Sequence, residues 1–489
     1  MAPHPGRSFI WALLESGGPS VLSLVVLFVI ARLLGPTELG TAALALGFVQ
    51  MLAIVPETLM HDALVQRADP DDIHFDTAFW TCLVIGISLA TACFFGAPLV
   101  ARLFDSPPLA HLVPVAALGL CFSGAGSTAI AVLRRRFMFK ALAMRSLYGR
   151  LFAAIVAIVL AFAGFGVWAL IAQYLIQNAV SVAFVWTSCP WRPRLRFDVH
   201  RLRELLSFGL VTMGTRIAWL SSARLFTVLV GYFLGVTAVG YLNVAQRVVD
   251  TMHDMLCGAI YNLALPTFAR KQDDRRSLAR AYHGATEMSG ILVAPIFGGI
   301  AICAEPILAL FVGDQWLPAV PVIQVLAIGA LLEIPFLLAD AAITGVGKPG
   351  YMFTISLLSL GFVVLAFTVY PPAGVFGAAA VWASRILICA PVVTSMLHRL
   401  IGRTTGDLVR DSWAPLVATG VMAATVWLLD TRVLPGAPAW ASLMVEIPAG
   451  AMVYGAVIAI INREAFRRLQ MFVASGIRGG TMSPEQGSP

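Results

Sequence analysis

The sequence predicts an all-α membrane protein of fourteen transmembrane helices. Three observations predict it: an apolar composition, fourteen spaced apolar runs and a one-sided distribution of positive charge. Of 489 residues, 59% are hydrophobic and only 12% are charged, with a mean hydropathy of +0.85. A soluble domain carries about 25% charged residues. So few polar side chains cannot cover a water-facing surface, and the apolar pattern overrides the soluble domains that length alone would suggest.

Each crossing of the hydrocarbon needs about 20 apolar residues. The runs fall at 9–33, 38–64, 78–103, 109–133, 146–163, 166–188, 207–234, 238–266, 285–304, 320–344, 351–369, 375–397, 413–430 and 441–461. The first is longer than the apolar core of a signal peptide and has no small-residue cleavage site after it, so it reads as a retained helix. An even number of spans puts both termini on one side.

Basic residues identify that side. Of the 33 lysines and arginines, Arg32, Arg102 and Arg432 lie on one face, and Arg216, Arg224, Arg247 and Arg385 lie within spans. The remaining 26 sit in the tails and the even-numbered connections. Positive charge stays cytoplasmic, which predicts cytoplasmic termini. The net charge of +7 then needs no nucleic acid; topology and attraction to anionic lipids of the inner leaflet account for it. The run RRRFMFKALAMRSLYGR, Arg134 to Arg150, alternates basic and apolar residues as an interfacial elbow would. The seven cysteines form no CxxC pair and read as packing residues. The tail ending GGTMSPEQGSP reads as disordered.

An internal repeat organises the chain. LGPTELGTAALA (Leu34 to Ala45) aligns with LGVTAVGYLNVA (Leu234 to Ala245) at an offset of 200, matching Gly35 with Gly235, Thr37 with Thr237 and Gly40 with Gly240. The first glycine would end one helix, the threonine would cap the next, and the second glycine would let the hairpin close tightly. AGFGVWAL (Ala163 to Leu170) and AGVFGAAAV (Ala373 to Val381) open spans six and twelve in the same way. These matches predict two six-helix lobes in parallel orientation, 1–200 and 201–400, with two extra helices over 401–465 and a cytoplasmic tail over 466–489. Transporters bind substrate between such halves.

Charges inside spans are costly and mark function by default. Arg216 and Arg224 fall on span seven, and Arg247 on span eight lies at the depth of Arg224. Asn243, Arg247, Asp250 and Asp254 share one helical face. Gln50, Glu57 and His61 make a comparable stripe on span two. Glu333 and Asp340 share a face of span ten, and Arg385 sits in span twelve. Two readings stand side by side. Some of these charges pair and only join helices, as Arg247 with Asp250 or Glu333 with Arg385. Taken together, they line a wet cavity with basic groups at its centre, which suits a phosphate or pyrophosphate. Arg216, Arg224, Arg247, Asp250 and Asn243 would then bind substrate, and Glu15, Glu57, Asp254, Glu333, Asp340 and Arg385 would serve coupling or gating, with H+ or Na+ as the coupling ion. In the first span Glu15 precedes Gly17, Gly18 and Pro19, residues that permit a bend. A hinge there would let the cavity open and close, with Glu15 facing Arg216 or substrate.

Several chemistries lack their motifs. TGVGKPG (Thr344 to Gly350) departs from a phosphate loop at Ala342 and at Pro349. No HExxH, GxSxG or zinc-ligand spacing occurs, so no cofactor or metal is expected.

The segments ARLLGPTELG, ALVQR, TAFW, LRRRFMFKALAMRS, GFGVWALIAQ and GVGKPG together resemble the polysaccharide-transport family. These are bacterial flippases for lipid-linked oligosaccharides, in the superfamily that also holds multidrug exporters and the peptidoglycan-precursor flippase. The resemblance covers about residues 7 to 465. It implies a V-shaped, two-lobed bundle in the bacterial cytoplasmic membrane that works by alternating access. Its cargo would be an undecaprenyl-pyrophosphate-linked repeat unit of an exopolysaccharide or O-antigen, moved from inner to outer leaflet. Polymerase and glycosyltransferases would be partners. Arg216, Arg224 and Arg247 fit the cationic residues such relatives carry; Arg32 lies close to the outer end. The alternatives are a cation-coupled drug antiporter of the same superfamily, which should show a net acidic cavity, and a membrane glycosyltransferase or polymerase, which would need an outer loop or an acidic pair that this chain lacks.

Overall fold

A computed structural model describes residues 21–67, 70–348, 350–464 and 466–467, with the side chains of all but 207–223 and 259. Every regular element among these residues is helical. Eleven helical segments are long and apolar enough to cross a membrane. They occupy the places of the expected spans two to six and nine to fourteen. At the other three places stand α1 (Val21–Leu33), α8 (Val199–Leu234) and α9 (Val236–Ala269).

Span two is two helices, α2 (Pro36–Thr58) and α3 (His61–Gln66). Pro56 removes a backbone donor near the break, and Thr58 turns its hydroxyl back onto the Ile54 carbonyl. The break takes His61 out of the expected stripe: it is buried and bonded to Asp62. Next come α4 (Asp72–Leu103), α5 (Leu109–Arg135), α6 (Phe139–Phe162) and α7 (Trp168–Ser188). The expected elbow is absent. After a turn at Phe137, whose φ is +55°, α6 runs unbroken from Phe139, so Arg145 and Arg150 belong to a spanning helix.

Beyond α9 the chain forms α10 (Arg275–Ile302), a short α11 (Ala304–Phe311) and a 3₁₀ turn (Asp314–Ala319). Span ten, expected as one helix, is α12 (Val320–Glu333), a 3₁₀ turn (Ile334–Phe336) and α13 (Ala339–Gly345). Pro335, which lacks a donor, sits in this break. The last four helices are α14 (Gly350–Val369), α15 (Gly374–Ile401), α16 (Thr405–Arg432) and α17 (Ala439–Ile461).

Four helix starts on the arginine-rich side are capped by side chains. Asp71, Asp198, Asp274 and Thr404 each accept from the first-turn amides of the helix that follows. There the buried His74 bonds Asp71 through one ring nitrogen and Glu204 of α8 through the other, at 3.2 Å. The hydrogen bond from His74, with Arg67 and Arg201 nearby, holds the Glu204 carboxyl below its usual range. Between α10 and α16, Asp411 is only 5% exposed and pairs with both His283 and Arg403. Removing one member of a buried pair strands the other charge, at about 3–5 kcal/mol. Asp411→Ala should therefore lower the melting temperature of the purified protein sharply, and Asp411→Asn less; an unchanged melting curve for both would contradict this.

α2 packs on α9, α8 and α5, while α8 also meets α14 and α15. The α2–α9 contact joins the two copies of the repeat. The Thr37 and Thr237 hydroxyls meet at 2.9 Å. A Cβ on Gly40 would lie 1.8 Å from the Val236 carbonyl oxygen, and one on Gly240 would lie 2.0 Å from that of Pro36. This corrects two expectations. Thr37 does not cap α2, whose N-cap Gly35 has no side-chain partner; it reaches its repeat mate instead. The glycines do not tighten a hairpin between sequence neighbours; they bring the two halves of the repeat into backbone contact around a local two-fold axis. Beside this seam the Trp316 indole donates to the Ala31 carbonyl at 2.9 Å, and Arg32 donates to the Leu310 carbonyl. The molecule is thus closed at the end where Gly35 and Gly235 lie.

Candidate functional site

Deeper than the seam, α8 and α9 carry charged residues. Arg224 and Arg247 lie about 16 and 18 Å along their helices from Gly235, so they share a depth. Both side chains are exposed, as is Asp250. Arg224 is within electrostatic reach of Arg247, Asp250 and Tyr174 of α7. Arg150 of α6 is within reach of Arg247 and Asp254, and Asp250 within reach of Arg385. Groups on α6, α7, α8, α9 and α15 thus lie within electrostatic reach of one another in a chain of pairs.

Among the described residues no carboxylate lies within ion-pair distance of Arg150, Arg224 or Arg247. Arg247 lies within electrostatic reach of both Arg150 and Arg224, and like charges between packed helices repel with little screening. The cluster is therefore electrostatically prepared for an anion with several oxygen acceptors, which guanidinium groups bind in a bidentate manner.

Other expected residues take different places. Asn243 is half-buried on α9. Glu57 is exposed on α2, accepts from Ser123 at 2.8 Å and lies within reach of Arg145. Glu333 and Arg385 pair at 2.8 Å, with the guanidinium 4.0 Å from the centre of the Trp382 ring. Of the two pairings considered from sequence, this one forms, and it ties α12 to α15. Asp340 accepts from Thr344 at 3.1 Å. Asp254, Glu333, Asp340 and Arg385 all line a cavity of about 780 Å³ among α9, α12, α13, α14 and α15. Arg216 lies on α8, but its side chain is outside the described residues, as are Glu15, Gly17, Gly18 and Pro19 in their entirety.

The sequence reading missed Arg145, Arg150 and Tyr174. The two arginines fall in a basic run that topology rules assign to the membrane rim. Their one available signal was spacing: both lie beyond the first turn of a helix that begins at Phe139. Tyr174 has room because Gly119 of α5 faces its ring; a Cβ there would lie 2.4 Å from it.

Comparison with known proteins follows this geometry. Residues 29–321 match the family described as "Polysaccharide biosynthesis protein". The succinoglycan biosynthesis transport protein ExoT of Rhizobium meliloti (strain 1021) is 29% identical over 354 residues, covering 72% of this chain and 71% of ExoT. The lipopolysaccharide biosynthesis protein WzxC of Escherichia coli (strain K12) is 23% identical over 314 residues, 64% of each chain. The lipid II flippase MurJ in an inward closed conformation has the same fold, with a TM-score of 0.78 over 93% of this chain and 99% of MurJ at 14% identity. An inward-facing multidrug resistance MATE family transporter of the MOP superfamily follows at 0.63, over 83% and 99%, with 16% identity. With its many apolar helices, the chain is a multi-pass bacterial membrane protein and belongs to the polysaccharide biosynthesis protein family.

Proposed function

We propose that this protein is a flippase that carries an undecaprenyl-pyrophosphate-linked polysaccharide repeat unit from the inner to the outer leaflet. The observation that carries this reading is the group of Arg150, Arg224 and Arg247: accessible, at mid-depth, and without carboxylates in ion-pair distance among the described residues. A cationic drug would be repelled by it, whereas a pyrophosphate would relieve its self-repulsion.

In this reading the chain has fourteen spans with both termini cytoplasmic. Residues 1–200 and 201–400 form two six-helix lobes, and 401–465 and 466–489 are added helices and a cytoplasmic tail. The Gly40–Gly240 seam is then the outer gate, shut while the arginine cluster is reached from the cytoplasm. Transport requires the seam to part and the lobes to close on the other side. A ligand drives that change only by binding the two states differently, and the arginines are the groups that can sense it. Protons or sodium ions would couple through Glu57, an exposed carboxylate of α2 outside the wall of the 780 Å³ cavity.

The test is transport itself. In proteoliposomes, the purified protein should move a fluorescent undecaprenyl-pyrophosphoryl sugar between leaflets, and bare undecaprenyl pyrophosphate should compete. Failure to move the labelled lipid, with rapid exchange of a cationic dye for protons instead, would replace this reading with the antiporter one.

A further inference from the structure

The 780 Å³ cavity is separate in character from the arginine cluster, and two of its wall residues lie within electrostatic reach of that cluster. It falls within the range of small-ligand pockets, about 300–1,000 Å³. Asp254 and Arg385 belong to its wall and also lie within reach of Arg150 and Asp250 respectively. With Arg385 paired to Glu333, Asp254 and Asp340 are the remaining carboxylates of the wall, beside the imidazole of His253. Asn262, Ser356 and Ser359 add neutral hydrogen-bonding groups. Two aromatic rings, Tyr261 and Phe336, complete the wall. Trp382 is already engaged, stacked on Phe226 at 4.6 Å and covered by Arg385.

This combination fits a sugar. Carboxylates and amides accept and donate to hydroxyl groups, and an aromatic face, negative at its centre, takes the C–H side of a pyranose ring. Position agrees as well. Along α9, Asp254 lies about 10 Å beyond Arg247 and Asn262 about 22 Å beyond it, in the direction away from the closed seam. A lipid of the inner leaflet presents chain, then pyrophosphate, then sugar in that same direction.

We propose that this cavity is the glycan subsite and that it takes an uncharged sugar next to the pyrophosphate. The proposal rests on the flippase reading given above. Asp254 and Asp340 hold the hydroxyl groups of a neutral sugar and repel the carboxylate of a uronic acid, a specificity built by repulsion as much as by attraction.

The experiment uses the full-length protein in nanodiscs and three probes: undecaprenyl pyrophosphate, undecaprenyl-pyrophosphoryl-glucose and undecaprenyl-pyrophosphoryl-glucuronate. The glucosyl lipid should bind about tenfold more tightly than the bare lipid, and the glucuronyl lipid at least about tenfold more weakly than the glucosyl one. Tyr261→Ala should erase the first ratio, with Tyr261→Phe retaining most of it as a check on folding. Asp340→Asn should close the gap between the two sugars. Equal affinities for all three probes in the unaltered protein would overturn the proposal, as would ratios indifferent to both substitutions. Affinity that follows sodium concentration but ignores the sugar would overturn it in favour of a cation site. Arg224→Ala should weaken all three probes alike; if it weakens none while Tyr261→Ala still erases the sugar ratio, the arginine reading fails and the subsite stands.

Discussion

Gly40→Leu and Gly240→Leu proteins insert in the membrane but export no glycan. At both positions the added Cβ meets a backbone carbonyl, 1.8 Å away for Gly40 and 2.0 Å for Gly240, and a backbone carbonyl cannot rotate aside as a side chain can. Overpacking of this kind costs about 1–3 kcal/mol or more. Charged to one of two states, it shifts their ratio by about 5–150-fold, away from the state closed at the seam. Cysteines at Thr37 and Thr237 report that state, because their hydroxyls touch at 2.9 Å. The pair should cross-link readily under mild oxidation in the parent and poorly with either leucine. Gly47→Ala is the control on the same helix, since nothing lies within 4 Å of its added Cβ. Undiminished cross-linking and export in the leucine variants would show that the seam does not open during transport.

The second large effect belongs to the arginines. Arg224→Ala and Arg247→Ala should each abolish export while membrane insertion stays normal. Their stability should hold or rise, because each substitution removes one of several like charges that repel across the chamber. That combination separates a binding role from a structural one: a cation that held helices together would lower stability when lost, whereas one held ready for a ligand would not. Arg224→Lys keeps the charge but loses the planar fork, so partial export is expected. Melting temperature and surface polymer, measured on the same variants, decide the matter. Full export in both alanine variants would reject the cationic chamber.

The class of the protein was legible in the sequence because a bilayer constrains so much. A chain with 12% charged residues cannot face water, and backbone in hydrocarbon must form helices. Span positions followed from apolar length, and the repeat was visible in two glycines and a threonine. Arg224 and Arg247 could be placed at one depth by counting residues from Gly235, because helical rise is constant. Glu333 and Arg385 were considered as partners since a buried charge needs one.

Tertiary structure decided what counting along a chain cannot. It decided that Thr37 meets Thr237 rather than capping a helix, and that Gly40 and Gly240 serve a contact across 200 positions of sequence. It moved His61 out of a stripe by breaking span two, and it set Arg145 and Arg150 within a spanning helix rather than at the membrane rim. The physical reason is the same in each case. Periodicity and hydropathy report which residues share a face and a depth on their own helix. Which face meets which, and whether a charged face meets another helix or open water, depends on the packing of helices far apart in sequence.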